Sequence, residues 1–206
     1  MNELQHFQPP LVAILRGLTL AEVQPLGRAL FEAGFRIVEV PLNRAGALDC
    51  IAALKAMAPA DALVGGGTML STADVDNVHS AGGQLMVAPN CDTDVIRRAR
   101  GRGMLTAPGV ATPSEAFNAL RWGADALKIF PADMVGQAGL KAFKSVLPPG
   151  TPLWPVGGVT PEGIAAWVNA GATGFGIGSQ LFQPGVSPQV LASRARAFIA
   201  AWAAAE

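Results

Sequence analysis

Lys128 stands alone in the run ALKIFP, residues 126–131, with apolar neighbours on both sides. The chain has four lysines, and Lys55, Lys141 and Lys144 all fall in stretches with amphipathic helical spacing. Desolvation disfavours an ammonium held among apolar side chains, so such a lysine can lose its proton near neutral pH. The neutral amine attacks carbonyl carbon and forms a Schiff base. A buried lysine paired with an acid for structure alone is the competing reading. Glu39, in RIVEVPLN (36–43), is the acid that matters here. Strand alternation places Ile37, Glu39 and Pro41 on one face, and Lys128 and Phe130 on one face of another run. If both faces share an interior, the carboxylate can neutralise the amine or shuttle protons beside it. Strand ends rich in glycine leave room for a ligand there and favour acid–base work.

Two further stretches suggest an anion site. PVGGVTPE and GIGSQLF put Gly157, Gly158, Gly178 and Ser179 at the ends of strand-like runs. Backbone N–H groups and helix N-termini in such loops cradle phosphate; tight turns that need positive φ are the alternative. Both elements in the last two loops together point to phosphate. Arg16, closing LVAILRG, could hold a second anion such as a carboxylate, or be a solvated arginine at a strand end.

These residues need a scaffold that gathers strand ends. Eight β-rich runs alternate with helical stretches: 11–17, 36–43, 62–69, 84–90, 104–109, 126–131, 153–159 and 174–179. Thr19, Ser71, Thr112 before Pro113, and Thr160 before Pro161 read as helix starts. Ala33-Gly34, Ala81-Gly82 and Ala170-Gly171 read as helix ends. Uniform spacing without a linker predicts one domain over residues 1–206, a single closed (β/α)8 TIM barrel of the α/β class. An open doubly wound sheet is the runner-up, weakened by the lack of G-x-G-x-x-G after the first run. In a barrel the chemistry lies at the C-terminal strand ends, which is where these candidate residues fall.

Composition excludes other classes. Net charge is zero and 15% of residues are charged, which argues against nucleic-acid or anionic-membrane partners. Mean hydropathy is +0.35, yet no apolar run approaches the ~20 residues that span a bilayer. MNELQHFQPP lacks the basic-then-apolar order of a signal peptide. Cys50 and Cys91 show no metal spacing, consistent with a reduced cytoplasmic setting, and His6 and His79 do not suggest a zinc site. Arg97, Arg98, Arg100 and Arg102 read as a solvated helix face. Trp122, Trp154, Trp167 and Trp202 read as packing residues, Trp154 lying near the proposed site. The high hydropathy also suggests a homo-oligomer.

AILRG, VEVPLN, GGGTM, LKIFPA, VGGVTPE and GIGSQLF occur in an order and spacing that resemble the bacterial 2-keto-3-deoxy-6-phosphogluconate and -galactonate aldolases over nearly the whole chain. The resemblance implies a class I aldolase for a phosphorylated keto-deoxy sugar acid, with Lys128 forming the Schiff base and Glu39 moving protons through a water. It implies that Arg16 and Thr68 hold the carboxylate and that Gly157, Gly158, Gly178 and Ser179 hold the phosphate. It further implies a homotrimer without metal or organic cofactor. Two departures separate the branches. The gluconate branch carries arginine where this chain has Asn43, and threonine where it has Val156. Both point to the galactonate branch, because exchanging a hydroxyl for a methyl should alter discrimination at C4, where the two sugars differ. The gluconate epimer as main substrate, or another phosphate-binding barrel activity such as sugar-phosphate epimerisation, are the alternatives.

Overall fold

Every one of the eight runs forms β-structure followed by a helix in the computed structural model, which describes residues 3–205. The order is β1 (Leu11–Ile14), α1 (Leu20–Ala33), β2 (Ile37–Pro41), α2 (Ala47–Met57), β3 (Leu63–Gly67), α3 (Thr72–Ser80), β4 (Leu85–Val87), α4 (Thr93–Gly101) and β5 (Leu105–Ala107). It continues with β6 (Gly109–Val110), α5 (Pro113–Arg121), β7 (Leu127–Ile129), α6 (Ala132–Val146), β8 (Leu153–Pro155), α7 (Ile164–Ala170), β9 (Phe175–Ile177) and α8 (Pro188–Ala203). The expected fifth strand is divided into β5 and β6, because Pro108 has no N–H to continue the ladder.

All strand pairs are parallel. They form a six-stranded sheet, β5-β4-β3-β2-β1-β9, and a three-stranded sheet, β6-β7-β8. The hydrogen-bond ladder thus runs as two parallel sheets rather than one unbroken ring of eight. They adjoin where the chain passes through Pro108 and at an isolated bridge between Val156 and Gly176.

Period-two alternation sorts the strand side chains into two apolar clusters. Leu11, Ala13, Val38, Val40, Val64, Met86, Leu127 and Ile129 pack under the helices. Val12, Ile37, Leu63, Leu85, Leu105, Ala126 and Trp154 meet on the opposite face. Glu39 and Lys128 lie one alternation further along that second face than Ile37 and Ala126. The apolar layer therefore forms the floor on which the charged pair sits.

The helix ends follow the expected chemistry. The Glu22 carboxylate accepts from Thr19 N–H and hydroxyl at 2.9 and 2.6 Å. Capping boxes form at Ser71–Asp74 and Thr112–Glu115. Gly34 and Gly171 end α1 and α7 in the left-handed region. Thr160 departs from expectation: it precedes a 3-10 turn, Pro161–Gly163, and makes no side-chain cap.

The arginine run is not a bare solvated face. Arg98 and Arg102 converge on Asp76 of α3 at 2.7 and 2.8 Å, and Arg100 meets Asp125 at 2.8 Å. Arg97 lies over the Trp122 ring at 4.9 Å. Packing of α3 beside α4 supplies an acid that the linear pattern does not reveal. Trp154 is the register partner of Lys128, as its place near the proposed site required, while its side chain joins Leu4, Gln8, Pro10, Pro152, Thr173 and Trp202 around a pocket at the N-terminal ends of the strands.

Candidate active site

Among the described residues, Glu39 and Lys128 are the charged side chains that are buried, 1% and 7% exposed. β2 carries Glu39 paired against Gly65 of β3, and β7 carries Lys128 between β6 and β8. Lys128 Nζ lies 5.0 Å from the centroid of the Phe130 ring, which stands one alternation above it. Glu39 Oε2 is buried without a hydrogen-bond partner. The two groups act on each other through space and make no contact ion pair, so the pairing expected from sequence is electrostatic rather than direct.

Burial governs both groups. Desolvation raises the Glu39 pKa above the ordinary carboxylate value, opposed by the positive charges of Lys128 and Arg16. Desolvation lowers the Lys128 pKa, opposed by Glu39 and assisted by Arg16. Each group is thereby moved toward its neutral form: the lysine toward a nucleophile and the carboxyl toward a proton carrier.

Phe130, beside Lys128 Nζ, also lines a cavity of about 360 Å³, whose lining includes neither Lys128 nor Glu39. Arg16, Val156, Gly157, Gly158, Gly178 and Ser179 all line it, so six of the predicted site residues converge there. Gly157 and Gly158 have φ of 115° and 66°, a left-handed pair that exposes successive N–H groups. No regular helix begins at Ser179. Instead Leu181 and Phe182 N–H both bond to Gly178 O at 2.9 Å, and α8 starts only at Pro188. These loops thus present backbone N–H groups from short turns and not the start of a long helix.

Val156 is buried, and its Cγ2 occupies space 2.6 Å from where a Gly176 Cβ would stand. Thr68 and Asn43 sit apart from the cavity lining. Thr68 follows Gly67 at the end of β3 and is half-buried, with φ of 54°. A β-branched residue held there stores strain of about 1–3 kcal/mol, a cost concentrated at functional sites. Asn43 is exposed beyond the end of β2.

Sequence reasoning overlooked the outer wall. Gln180, Phe182, Gln183 and Pro184 line the cavity, and Gln183 Nε2 donates to Ser179 O at 3.2 Å. Gly185 N–H donates to Glu22 at 3.2 Å, tying this loop to the start of α1. Continuing GIGSQLF by three residues would have found most of this wall. Arg44 was also overlooked: its Nη1 donates to Gly17 O at 3.3 Å beside Arg16.

A parallel α/β scaffold that buries a lysine and a carboxyl beside a glycine-walled cavity carries the groups with which an enzyme can act on a small carbonyl compound. The chain belongs to the KDPG and KHG aldolase family, which matches residues 4–191. It is 46% identical over 193 residues to the 2-dehydro-3-deoxy-6-phosphogalactonate aldolase of Escherichia coli (strain K12), covering 94% of each chain. It is 43% identical over 199 residues to a probable 2-dehydro-3-deoxy-6-phosphogalactonate aldolase of Rhizobium meliloti (strain 1021), covering 97% of this chain and 94% of that one. A solved structure described as native KDPGal superposes with a TM-score of 0.94 at 45% identity, covering 96% of both chains. The protein is accordingly an aldolase, a carbon–carbon lyase.

Proposed function

We propose that the protein cleaves 2-dehydro-3-deoxy-6-phosphogalactonate to pyruvate and D-glyceraldehyde 3-phosphate by class I chemistry. The observation that carries this reading is the isolated buried pair, Lys128 and Glu39, joined through Phe130 to a cavity lined by Arg16, Gly157, Gly158, Gly178 and Ser179. The relatives named for the galactonate compound support the choice of sugar.

In this mechanism the neutral Lys128 amine attacks the C2 ketone, and loss of water gives an iminium ion. Glu39 accepts the C4 hydroxyl proton as the C3–C4 bond breaks, and the bonding electrons flow into the iminium to form an enamine. The aldehyde phosphate leaves. Return of a proton to C3 and hydrolysis then release pyruvate and regenerate the amine. The glycine N–H groups and Ser179 hold the phosphate, while Arg16 and Thr68 hold the carboxylate. The covalent imine is the electron sink, so neither metal nor organic cofactor has a role. Val156, which lines the cavity, sets the choice between C4 epimers, whereas Asn43 stands exposed outside that lining.

The same reading takes residues 1–206 as one domain whose two sheets close into a (β/α)8 barrel. Support comes from the Val156–Gly176 bridge and from the apolar cluster shared by inward residues of both sheets. Exposed Leu70, Phe117, Trp122 and Met134 support self-association, and the family resemblance makes the assembly a homotrimer. Two free cysteines suit a reducing cytoplasm. No helix among the described residues is long and apolar enough to cross a membrane.

The test is incubation with pyruvate and borohydride, followed by peptide mass spectrometry and a turnover assay on the phosphorylated sugar acid. One reduced pyruvate on Lys128 with release of pyruvate from substrate is expected. Absence of the adduct on folded protein would reject the Schiff-base mechanism.

A further inference from the structure

The three consecutive glycines that end β3 have different neighbours. A Cβ on Gly65 would meet the Leu85 backbone oxygen at 2.1 Å, and one on Gly66 would meet Val78 Cγ2 at 2.7 Å. Both are packing restrictions imposed by an adjacent strand or helix. A Cβ on Gly67 would instead lie 1.3 Å from Glu39 Oε2, 2.4 Å from its Cδ and 3.0 Å from its Oε1. The three nearest atoms all belong to one carboxyl group. Gly67 is outside the set of left-handed glycines, so its backbone would accept an L-residue. Its missing side chain is a matter of space alone.

We propose that Gly67 is a positioning residue for the acid–base group: the buried Glu39 carboxyl occupies the place a β3 side chain would take. Glu39 sits opposite Gly65 in the register, and its side chain leans along β3 to reach the vacancy two residues on. Apolar residues floor the interior below, so a methyl group at position 67 would push the carboxyl off its present line. The obstructing atoms are the end of a flexible side chain, whereas those at Gly65 belong to rigid backbone. Substitution at 67 therefore displaces the acid while the strand itself remains in place. The inference rests on the acid–base reading of Glu39.

The experiment compares Gly67→Ala in the native background and in a Glu39→Asp background, with Glu39→Gln alongside, in turnover of 2-dehydro-3-deoxy-6-phosphogalactonate. Acid–base catalysis contributes about 10²–10⁴-fold, so Gly67→Ala should lower kcat by at least about tenfold. KM should stay within about threefold, the pattern of a lost transition-state interaction. In Glu39→Asp the shorter acid vacates the contested space, so Gly67→Ala should then change kcat by less than about threefold. Equal losses in the two backgrounds, or an effect confined to KM or to the thermal midpoint, would overturn the proposal. If Gly67→Ala alone does not fold, the pair with Glu39→Asp should; failure of both to fold would make Gly67 a packing residue and overturn it too. Full activity of Glu39→Gln would remove the acid–base reading and the proposal with it. An inactive Glu39→Gln beside a fully active Gly67→Ala would remove the proposal alone.

Discussion

Exchanging Val156 for threonine tests whether one buried methyl group sets the sugar preference. Val156 is 7% exposed, lines the cavity, and packs over Gly176. Its backbone N–H is held by Ile129 O at 3.0 Å, so the side chain springs from a fixed strand end. Val156→Thr keeps the shape and volume of the side chain and opens no void. It places a hydroxyl on one of the two γ positions, where the neighbours are apolar except for the ligand space. Left unbonded, the hydroxyl costs about 1–3 kcal/mol of stability. That would lower the thermal midpoint by roughly 2–4 °C per kcal/mol in a chain of this size. Bonded to a substrate hydroxyl, it contributes about 0.5–1.5 kcal/mol net. The corresponding change in kcat/KM is roughly twofold to thirteenfold. The assay measures kcat/KM for 2-dehydro-3-deoxy-6-phosphogalactonate and for its gluconate epimer, with pyruvate release coupled to lactate dehydrogenase. The ratio should move toward the gluconate epimer by more than about twofold. A ratio unchanged within about twofold in a folded variant, or one that moves the other way, would refute the argument that this γ position discriminates at C4.

Other outcomes follow from the same geometry. Lys128→Ala should abolish both turnover and the borohydride-trapped adduct; substantial residual turnover would exclude the amine as nucleophile. Glu39→Gln should lower kcat more than it raises KM, and an effect confined to KM would assign Glu39 to binding instead. The trapping rate should rise with pH on a limb below the ordinary lysine value of 10.5, because attack needs the neutral amine. Arg16 lowers the Lys128 pKa, so Arg16→Gln should move that limb to higher pH, and a limb that stays or falls would contradict the assigned field. Linkage has a matching sign. The native state binds fewer protons at Lys128 than the unfolded chain does, so this site's contribution to stability rises with pH between the lowered value and 10.5. Glu39 does the opposite, losing stability as pH rises from 4.5 to its raised value. At the far end of the strands, Gly174→Ala would bring a Cβ to 2.5 Å from Pro10 O and 2.6 Å from Trp154 Nε1. Overpacking of this kind costs about 1–3 kcal/mol, so the thermal midpoint should fall while kcat is retained. A loss of kcat without loss of stability would show that this end of the molecule takes part in the chemistry.

Much of this protein is legible from spacing alone. Alternation within ALKIFP and RIVEVPLN determines that Lys128 and Glu39 face away from the helices, since successive side chains on a strand point to opposite sides. The capping pairs Ser71–Asp74 and Thr112–Glu115 follow from local hydrogen bonding over three residues, and the structure has both. The glycines after β8 and β9 could be assigned to a common cavity because strand order places those loops side by side. Interactions between distant segments are different, because they depend on which surfaces the fold brings together. Only packing decides that Asp76 of α3 takes up Arg98 of α4 and Arg102 just past its end, or that Trp154 belongs to the apolar floor. Only the register of β2 against β3 shows that the Glu39 carboxyl fills the space above Gly67. The direction of both pKa shifts is likewise a tertiary property. Residue type determines which groups can titrate, but the removal of water from around them, which sets the cost of their charge, exists only once the strands have assembled.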